Sequence, residues 1–305
     1  MKHTLLIIVI CALSFGCNRR GCTDELAINY DSKSKKDDGN CIYPVDETPK
    51  DTFFISSVIA VPQQKVVLLE EFTGVYCYTC PLGHLVADSI IEEFPGQIAP
   101  LNIHSVFYGI YDDPNVLGNS NDFRTKDGDS IVSMLGGIIS VPSGSIDRVI
   151  ASGEAQVLTQ NRDNWKEYVE TRLTEVPPVN IEIKTEFDET TRNLQIVVVL
   201  KYTEGQTPNN YLSVVIAEDD VEDKQLVDTV VVIDYKHPHI LRDAITDVKG
   251  DQIDVSLVAG LIYVRVYNYQ VPTGWNSSNV EIVAYVHEKD NTWNVLQAAT
   301  KNINE

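Results

Sequence analysis

The residues best suited to chemistry in this sequence are Cys77 and Cys80, two cysteines separated by two residues. An apolar run rich in β-branched residues, Val66–Phe72, comes just before them and predicts a buried strand. A helical pattern follows from Cys77, so both sulfur atoms are expected on one helical face, within disulfide reach. The N-terminus of a helix favours negative charge and therefore favours the thiolate of Cys77 over its thiol. This pair is predicted to form a disulfide that exchanges with other thiols.

The beginning of the chain resembles an export signal. A basic start, Met1–His3, precedes an apolar core over residues 4–16 that is too short to span a bilayer. We therefore predict a signal peptide over residues 1–16. Its end resembles the lipobox of bacterial lipoproteins, which implies lipidation of Cys17; ordinary cleavage nearby, leaving Cys17 as a free thiol, is the alternative. The residue after Cys17 is Asn18 rather than aspartate, which resembles the sorting signal of outer membrane lipoproteins. We therefore expect a cell-envelope protein anchored in the outer membrane, facing the periplasm or the surface.

The cysteines beyond Cys17 indicate an oxidising compartment. The sequence has six cysteines. Cys11 lies inside the predicted signal peptide and Cys17 is the predicted lipidation site, which leaves Cys22, Cys41, Cys77 and Cys80. An even number suits an exported protein with disulfides, and sequence alone allows three pairings. Local spacing favours Cys22–Cys41 as a structural disulfide, with Cys77–Cys80 as the second.

The charge of the chain excludes one class of partner. Lys and Arg number 24 against 44 Asp and Glu, a formal net charge of −20. Such a surface repels nucleic acid and gains nothing from anionic lipid headgroups. We therefore expect no nucleic-acid partner, and membrane contact only through the N-terminal lipid anchor.

Other catalytic motifs are missing from the sequence. It contains no G-x-S-x-G elbow, no P-loop, no H-E-x-x-H and no dinucleotide fingerprint, so no cofactor is predicted. A zinc site would need two ligands besides the cysteine pair, and only His84 and His104 are plausible. We expect His84 on the helix surface, His104 packed, and the segment His237–His239 in a solvated turn. No metal site is predicted.

The pattern of apolar residues divides the chain into segments. Residues 17–50 are polar and form a Cys-bounded module and linker; residues 51–177 alternate strands and helices; and residues 178–305 read as strands. A Gly-, Asn- and Asp-rich insertion covers residues 107–128, and the acidic run at 219–223 is expected to be an exposed loop. The strands predicted after residue 178 are Asn180–Phe187, Asn193–Tyr202, Tyr211–Ala217, Asp228–Asp234, Gly260–Tyr269, Val280–His287 and Val295–Asn302.

The residues around the cysteine pair carry a family resemblance. Glu70-Glu71-Phe72-Thr73-Gly74, followed by Cys77, Cys80, Pro81 and Gly83, resembles the Omp28-related lipoproteins of Bacteroidetes. The resemblance implies an α/β thioredoxin-like domain over residues 51–177, followed by a β-rich half. The pattern of strands over residues 178–305 favours an all-β immunoglobulin-like sandwich for that half.

Roles for individual residues follow from the thioredoxin-like resemblance. Cys77, nearer to solvent, would attack or be attacked, and Cys80, one turn deeper, would resolve the mixed disulfide. Glu71 matches a buried acid that shuttles the proton of the resolving cysteine; exposure at a strand end is the alternative. Pro142 matches a cis-proline that faces the cysteine pair and offers backbone to an extended substrate.

Two functions of different classes fit these observations. The first is thiol–disulfide exchange on the thiols or disulfides of exported proteins; Tyr76 and the central Tyr78-Thr79 depart from the redox pattern and leave its direction open. The second is a non-enzymatic surface protein that binds a ligand or adheres through the β-sandwich and carries a vestigial thioredoxin domain. Whether the chain is an enzyme stays open at this point.

Overall fold

The computed structural model describes residues 19–24, 27–37, 41, 50–137, 140–207, 209–289 and 293–305. The predicted signal peptide and Cys17 lie outside these residues. The strands are β1 (Lys50–Ile55), β2 (Val67–Phe72), β3 (Ile98–Ile103), β4 (Ser143–Ile146), β5 (Val179–Phe187), β6 (Asn193–Tyr202), β7 (Asn210–Glu218), β8 (Val221–Val227), β9 (Val230–His237), β10 (Ile240–Ala244), β11 (Asp251–Gln252), β12 (Leu261–Gln270), β13 (Val280–Glu288) and β14 (Val295–Asn302). The helices are α1 (Cys80–Glu93), α2 (Pro114–Leu117), α3 (Lys126–Met134) and α4 (Trp165–Leu173), and short 3₁₀ segments lie at Val106–Asp112, Arg162–Asn164 and Ser277–Asn279.

A long mixed sheet forms the centre of the molecule, with strand order β14-β13-β7-β10-β3-β2-β4 and β11 added beside β7. Strand β2 pairs with β3 in parallel and with β4 antiparallel. Every residue of β2 and β3 is buried, because helices cover one face of these strands and further chain covers the other. The continuous apolar run before the cysteines is explained by this two-sided burial.

A second sheet, of order β1-β12-β6-β5, packs over the C-terminal strands of the mixed sheet. Alternate residues of β7 divide between two cores, as the two-residue period of a strand requires. Leu212, Val214 and Ile216 face the second sheet, whereas Val215 and Ala217 join the core around β2 and β3. Two facing sheets are therefore present, and the chain is mostly β-sheet with few helices.

The two parts expected as separate domains share one sheet. Strand β10, from beyond residue 178, pairs in parallel with β3 at Ile240 and Asn102. Strand β1, expected with the α/β segment, instead pairs antiparallel with β12. A buried hydrogen bond also crosses the junction. Arg148, which forms an ion pair with Glu70 at 2.6 Å, donates to the hydroxyl of Tyr285 at 2.9 Å.

The acidic run expected as an exposed loop is in fact the start of a hairpin. Strands β8 and β9 pair antiparallel and form a two-stranded sheet of their own. Asp223 is buried, and its carboxylate accepts hydrogen bonds from the backbone N–H groups of Ser120 and Asn121. These donors compensate the charge, so an acidic residue can occupy a buried strand position.

The described part of the N-terminal module packs on the body of the protein. Cys22 and Cys41 are joined by a disulfide, as their spacing favours. Arg20 forms an ion pair with Asp122 at 3.3 Å. Among the described helices, none has the length and apolar character needed to span a bilayer.

Candidate active site

The cysteine pair lies in the turn between β2 and α1. Cys77 and Cys80 form a disulfide, and the amide of Cys80 donates to the carbonyl of Cys77 at 3.2 Å. Helix α1 begins at Cys80, not at the predicted Cys77, with Thr79 as its N-cap residue and Pro81 in its first turn. Cys77 therefore belongs to the turn that leads into the helix.

Both sulfur-bearing residues are buried. Cys77 is 2% exposed and Cys80 is 0% exposed, so neither cysteine is open to solvent in this conformation. Two segments cover the pair: the β8–β9 hairpin and the insertion after β3. Both segments lie outside the cysteine motif in the sequence, so the motif alone does not predict this cover.

The hairpin contacts the cysteine turn through its backbone and one side chain. The amide of Leu226 donates to the carbonyl of Val75 at 2.9 Å, and the amide of Asp228 donates to the carbonyl of Tyr78 at 3.2 Å. The buried side chain of Gln225 donates from Nε2 to the carbonyl of Cys77 at 3.1 Å and to that of Gly74 at 3.3 Å. The cysteine turn is thus hydrogen-bonded to a segment from the C-terminal half.

The insertion supports the turn from another side through Asp112. This buried carboxylate accepts hydrogen bonds from the amides of Val75 at 3.2 Å and Ser105 at 2.8 Å. His104 contacts the same carboxylate at 2.7 Å through Nδ1, which agrees with the expectation that His104 is packed. Burial raises the pKa of Asp112, and the contact with His104 opposes that shift.

Glu71 lies inside the protein rather than at an exposed strand end. It is 0% exposed, and neither carboxylate oxygen has a hydrogen-bond partner among the described residues. Burial, together with the nearby charge of Asp88, raises the pKa of Glu71 well above its usual range. A buried carboxyl without donors is held more readily in its neutral, protonated form.

Gly83 places Glu71 and Pro142 against the first turn of α1. A Cβ atom on Gly83 would lie 2.3 Å from Oε1 of Glu71 and 3.2 Å from Cβ of Pro142. Because Gly83 lies three positions after Cys80, the acid and the proline share the helical face of Cys80. The peptide bond between Val141 and Pro142 is cis, as the resemblance implied.

His84 is buried, so its expected position on the helix surface is wrong. Its Nδ1 lies 2.6 Å from the hydroxyl of Tyr235 on β9, and its Nε2 lies 3.0 Å from Oγ1 of Thr73 and 3.7 Å from Oε1 of Glu71. Burial, with a smaller contribution from His104, lowers the pKa of His84 to about 3. The ring is therefore neutral at neutral pH and connects Glu71 to the hairpin.

His237, expected in a solvated turn, is also buried, and its ring lies 4.7 Å from that of Phe123. Burial lowers its pKa well below the usual range, with the neighbouring His104 and His84 acting in the same direction. Within the described residues, no cluster of His, Cys, Asp and Glu has three members placed to hold a metal ion.

The structure brings together four of the residues named from the sequence and adds others. Cys77, Cys80, Glu71 and Pro142 meet at the start of α1. Gln225, Tyr235, Asp112 and His84 complete the surroundings, and the sequence analysis gave none of them a role. The acidic run before Gln225 and the insertion that contains Asp112 were recognisable segments, but nothing in either pattern indicated contact with the cysteines.

Comparisons with known proteins give the family and the fold. A solved structure of HBP35 of Porphyromonas gingivalis matches with a TM-score of 0.60 and 16% identity, over 79% of this chain and 76% of that chain. A solved structure of a protein from Agrobacterium tumefaciens has a TM-score of 0.48 and 13% identity, over 80% of this chain and 97% of that chain. None of the curated proteins matches the chain significantly.

A family model, described as outer membrane protein Omp28, matches residues 135–305, which is more than half of the chain. The matched range includes Pro142 and the β8–β9 hairpin and begins after the cysteine pair. This match agrees with the resemblance stated from the cysteine motif. The protein belongs to the Omp28 family of outer membrane proteins.

Proposed function

We propose that the Cys77–Cys80 disulfide exchanges with thiols and disulfides of exported proteins in the cell envelope. The observation that carries this proposal is the meeting of three features at the start of α1. An oxidised C-x-x-C pair, a buried carboxyl with a raised pKa and the ring of Pro142 all lie against the same helical turn. A structural disulfide that closes so small a loop would restrict the unfolded chain little, so stabilisation alone explains the pair poorly. The same features support a thioredoxin-like unit around β2, α1, β3 and β4.

The exchange begins with the disulfide seen in the structure. A substrate thiolate attacks Sγ of Cys77, the Cys77–Cys80 bond breaks, and Cys80 leaves as a thiolate. Protonated Glu71 gives its proton to that thiolate, which makes Cys80 a poorer competitor for the mixed disulfide. A second substrate thiolate then attacks the substrate sulfur, which forms the substrate disulfide and releases Cys77 as a thiolate. The reverse sequence reduces a substrate disulfide, and Glu71 then accepts the proton of Cys80.

The test is exchange with a protein substrate. The purified chain is assayed for insulin reduction and for its redox equilibrium with glutathione, and Cys77→Ser is compared with the wild type. Cys22→Ser combined with Cys41→Ser is the matched control, because it removes the other disulfide and leaves the cysteine turn intact. We expect activity in the wild type and in the control and none in Cys77→Ser. Equal activity in Cys77→Ser and wild type would exclude this function. The surface-binding alternative predicts instead that serine at both Cys77 and Cys80 leaves the cellular function unchanged.

We also propose that Cys17 carries a lipid that holds the protein on the outer membrane. The family description supports this location, and the sequence before Cys17 supports the anchor. Replacement Cys17→Ser should move the protein from the membrane fraction to the soluble fraction, whereas Cys11→Ser, inside the signal peptide, should not. Membrane retention of Cys17→Ser would contradict the anchor.

A further inference from the structure

The β8–β9 hairpin covers the cysteine turn and hydrogen-bonds to its backbone. Leu226, in β8, and Asp228, in the hairpin turn, direct their amides at carbonyls of the cysteine turn, those of Val75 and Tyr78. A peptide bound in an extended conformation can donate its own main-chain amides to backbone carbonyls of this kind. The hairpin therefore occupies backbone acceptors that an extended polypeptide could use as it approaches the disulfide.

Two side chains of the hairpin reinforce this cover. Gln225 donates to the carbonyls of Cys77 and Gly74, and Tyr235 contacts His84 at 2.6 Å. With the hairpin in place, the disulfide is buried. An attacking thiolate must approach Sγ of Cys77 along the S–S axis, so this conformation does not react.

The two ends of the hairpin are attached differently. At its base, Asp223 is bonded to the amides of Ser120 and Asn121, and Val221 packs on a small core with Val75 and Phe123. Near the tip, Val230 and Ile233 are 62% and 71% exposed. Segments held by hydrogen bonds with little apolar burial open at low free-energy cost. The tip can therefore leave the cysteine turn while the base stays packed.

We propose that the β8–β9 hairpin is an intramolecular competitor of the substrate, and that the substrate is an extended, cysteine-containing segment of an unfolded exported protein. This inference rests on the proposed function. The segment takes the place of residues 226–228 and donates its own amides to the carbonyls of Val75 and Tyr78. Tyr78, in the centre of the motif, supplies one of these carbonyls and has an exposed side chain. A folded protein without a free strand edge cannot make these bonds and is not a substrate.

The experiment weakens the cover and measures the reactivity of the disulfide. Gln225→Ala removes the side-chain bonds to the turn, and Tyr235→Phe removes the bond to His84 with little change of shape. Lys236→Ala is the matched control, since Lys236 lies on the same hairpin and pairs only with exposed Glu222 at 3.0 Å. Reduction of the Cys77–Cys80 disulfide is followed in the full chain with two probes, glutathione and a reduced, unfolded ribonuclease. Hydrogen exchange at the amides of Leu226 and Asp228 reports opening directly.

We expect each weakening variant to react with glutathione about fivefold faster or more, the effect of losing one net hydrogen bond from the closed state. The amides of Leu226 and Asp228 should exchange faster by a similar factor, and Lys236→Ala should behave as wild type. The rate of reaction with unfolded ribonuclease, divided by the rate with glutathione, should be larger for the wild type than for the weakened variants. The reason is that only the polypeptide can displace the hairpin.

The outcomes separate this inference from the proposed function. Reaction at one common rate in all four proteins, with an unchanged preference between the two probes, would overturn the competitor role and leave exchange activity standing. Exposure of the Leu226 and Asp228 amides without any reaction toward ribonuclease thiols would overturn both the proposed function and the substrate assignment. If Gln225→Ala does not fold, Tyr235→Phe supplies the same comparison.

Discussion

Nε2 of Gln225 lies 3.1 Å from the carbonyl oxygen of Cys77, although the two residues are 148 positions apart in the chain. The surroundings of the disulfide are therefore built by both halves of the sequence. The strands around the cysteines, β4, β2 and β3, do not end in a free sheet edge at β3, because β10 from the C-terminal half pairs with β3. Residues of the C-terminal strands are therefore part of the candidate site.

Glu71→Gln should change how stability depends on pH. The pKa of Glu71 is raised by burial in the folded state, so the folded chain keeps this proton to higher pH than the unfolded chain does. In the wild type the Glu71 carboxyl therefore lowers the free energy of unfolding as pH rises above about 4.3, the usual glutamate pKa. This decrease continues until pH reaches the raised pKa of the folded state. The free energy of unfolding in urea, measured from pH 4 to 8, should fall less steeply in Glu71→Gln. At pH 8 that variant should be the more stable protein.

Glu92→Gln is the control for that measurement, because Glu92 is an exposed residue of helix α1, the helix that packs against Glu71. Its pH profile should follow the wild type. Parallel profiles for wild type and Glu71→Gln would show that the buried carboxyl does not titrate as described.

His84→Gln should make the protein less sensitive to acid. Burial lowers the pKa of His84 to about 3, whereas an unfolded histidine titrates near 6.5. Between these values the unfolded chain binds a proton that the folded chain does not, so His84 lowers stability as pH falls through this window. Unfolding in urea between pH 7 and 4 should show a shallower loss in His84→Gln, although at pH 7 the variant loses its contacts with Thr73 and Tyr235.

His239→Gln gives a comparison of opposite sign. Burial acts to lower the pKa of His239, but Glu281 and Asp219 outweigh it and the pKa is raised. A raised pKa stabilises the folded state at low pH, and this contribution is lost as pH rises through the folded value. His239→Gln should therefore remove a loss of stability that the wild type shows as pH rises above about 6.5, the usual histidine value. A profile above pH 6.5 that matches the wild type, or an unchanged profile in His84→Gln, would contradict the assignment.

The strands of the C-terminal half were largely predictable from the sequence. β6 and β14 have the predicted bounds, 193–202 and 295–302. In β6 a buried apolar residue recurs at every second position from Leu194 to Tyr202, as a strand requires. β8 was missed because its acidic residues are compensated by backbone donors of the insertion, which no local pattern shows. β10 was missed because it is short and its sequence, Ile240–Ala244, has mixed polarity.

The candidate site divides in the same way. The disulfide Cys77–Cys80 and the buried position of Glu71 follow from residues within one strand, turn and helix. The cover over Cys77 does not, because it depends on pairing between segments far apart in the chain, and pairing of this kind leaves no period in either segment. Burial of the disulfide was therefore the part of the site that sequence could not predict.

Gly83→Ala should disturb the contact between α1 and the buried acid. The new Cβ would lie 2.3 Å from Oε1 of Glu71, which is closer than unstrained atoms approach. Alanine favours a helix interior over glycine, but overpacking of a tight site costs about 1–3 kcal/mol and outweighs that gain. Urea unfolding should show a net loss of stability. Gly274→Ala, where a Cβ meets nothing within 4 Å, should show no such loss. Equal stability of the two variants would mean that Gly83 is not in close contact with Glu71.

Arg148→Met should test how strongly the two halves of the chain are joined. The guanidinium of Arg148 is fully buried, contacts Glu70 on β2 and lies 5.0 Å from the ring centroid of Tyr285 on β13. Removing one partner of a buried ion pair leaves an uncompensated charge and costs about 3–5 kcal/mol, whereas an exposed pair contributes about 0–1 kcal/mol. In urea unfolding Arg148→Met should therefore lose several times more stability than Lys166→Ala, which breaks the half-exposed pair with Glu93. Combining Glu70→Leu with Arg148→Met should recover part of the loss, because no charge then stays buried alone. A loss in Arg148→Met no larger than that in Lys166→Ala would contradict the view that buried Arg148, paired with Glu70 and bonded to Tyr285, stabilises the junction between β2 and β13.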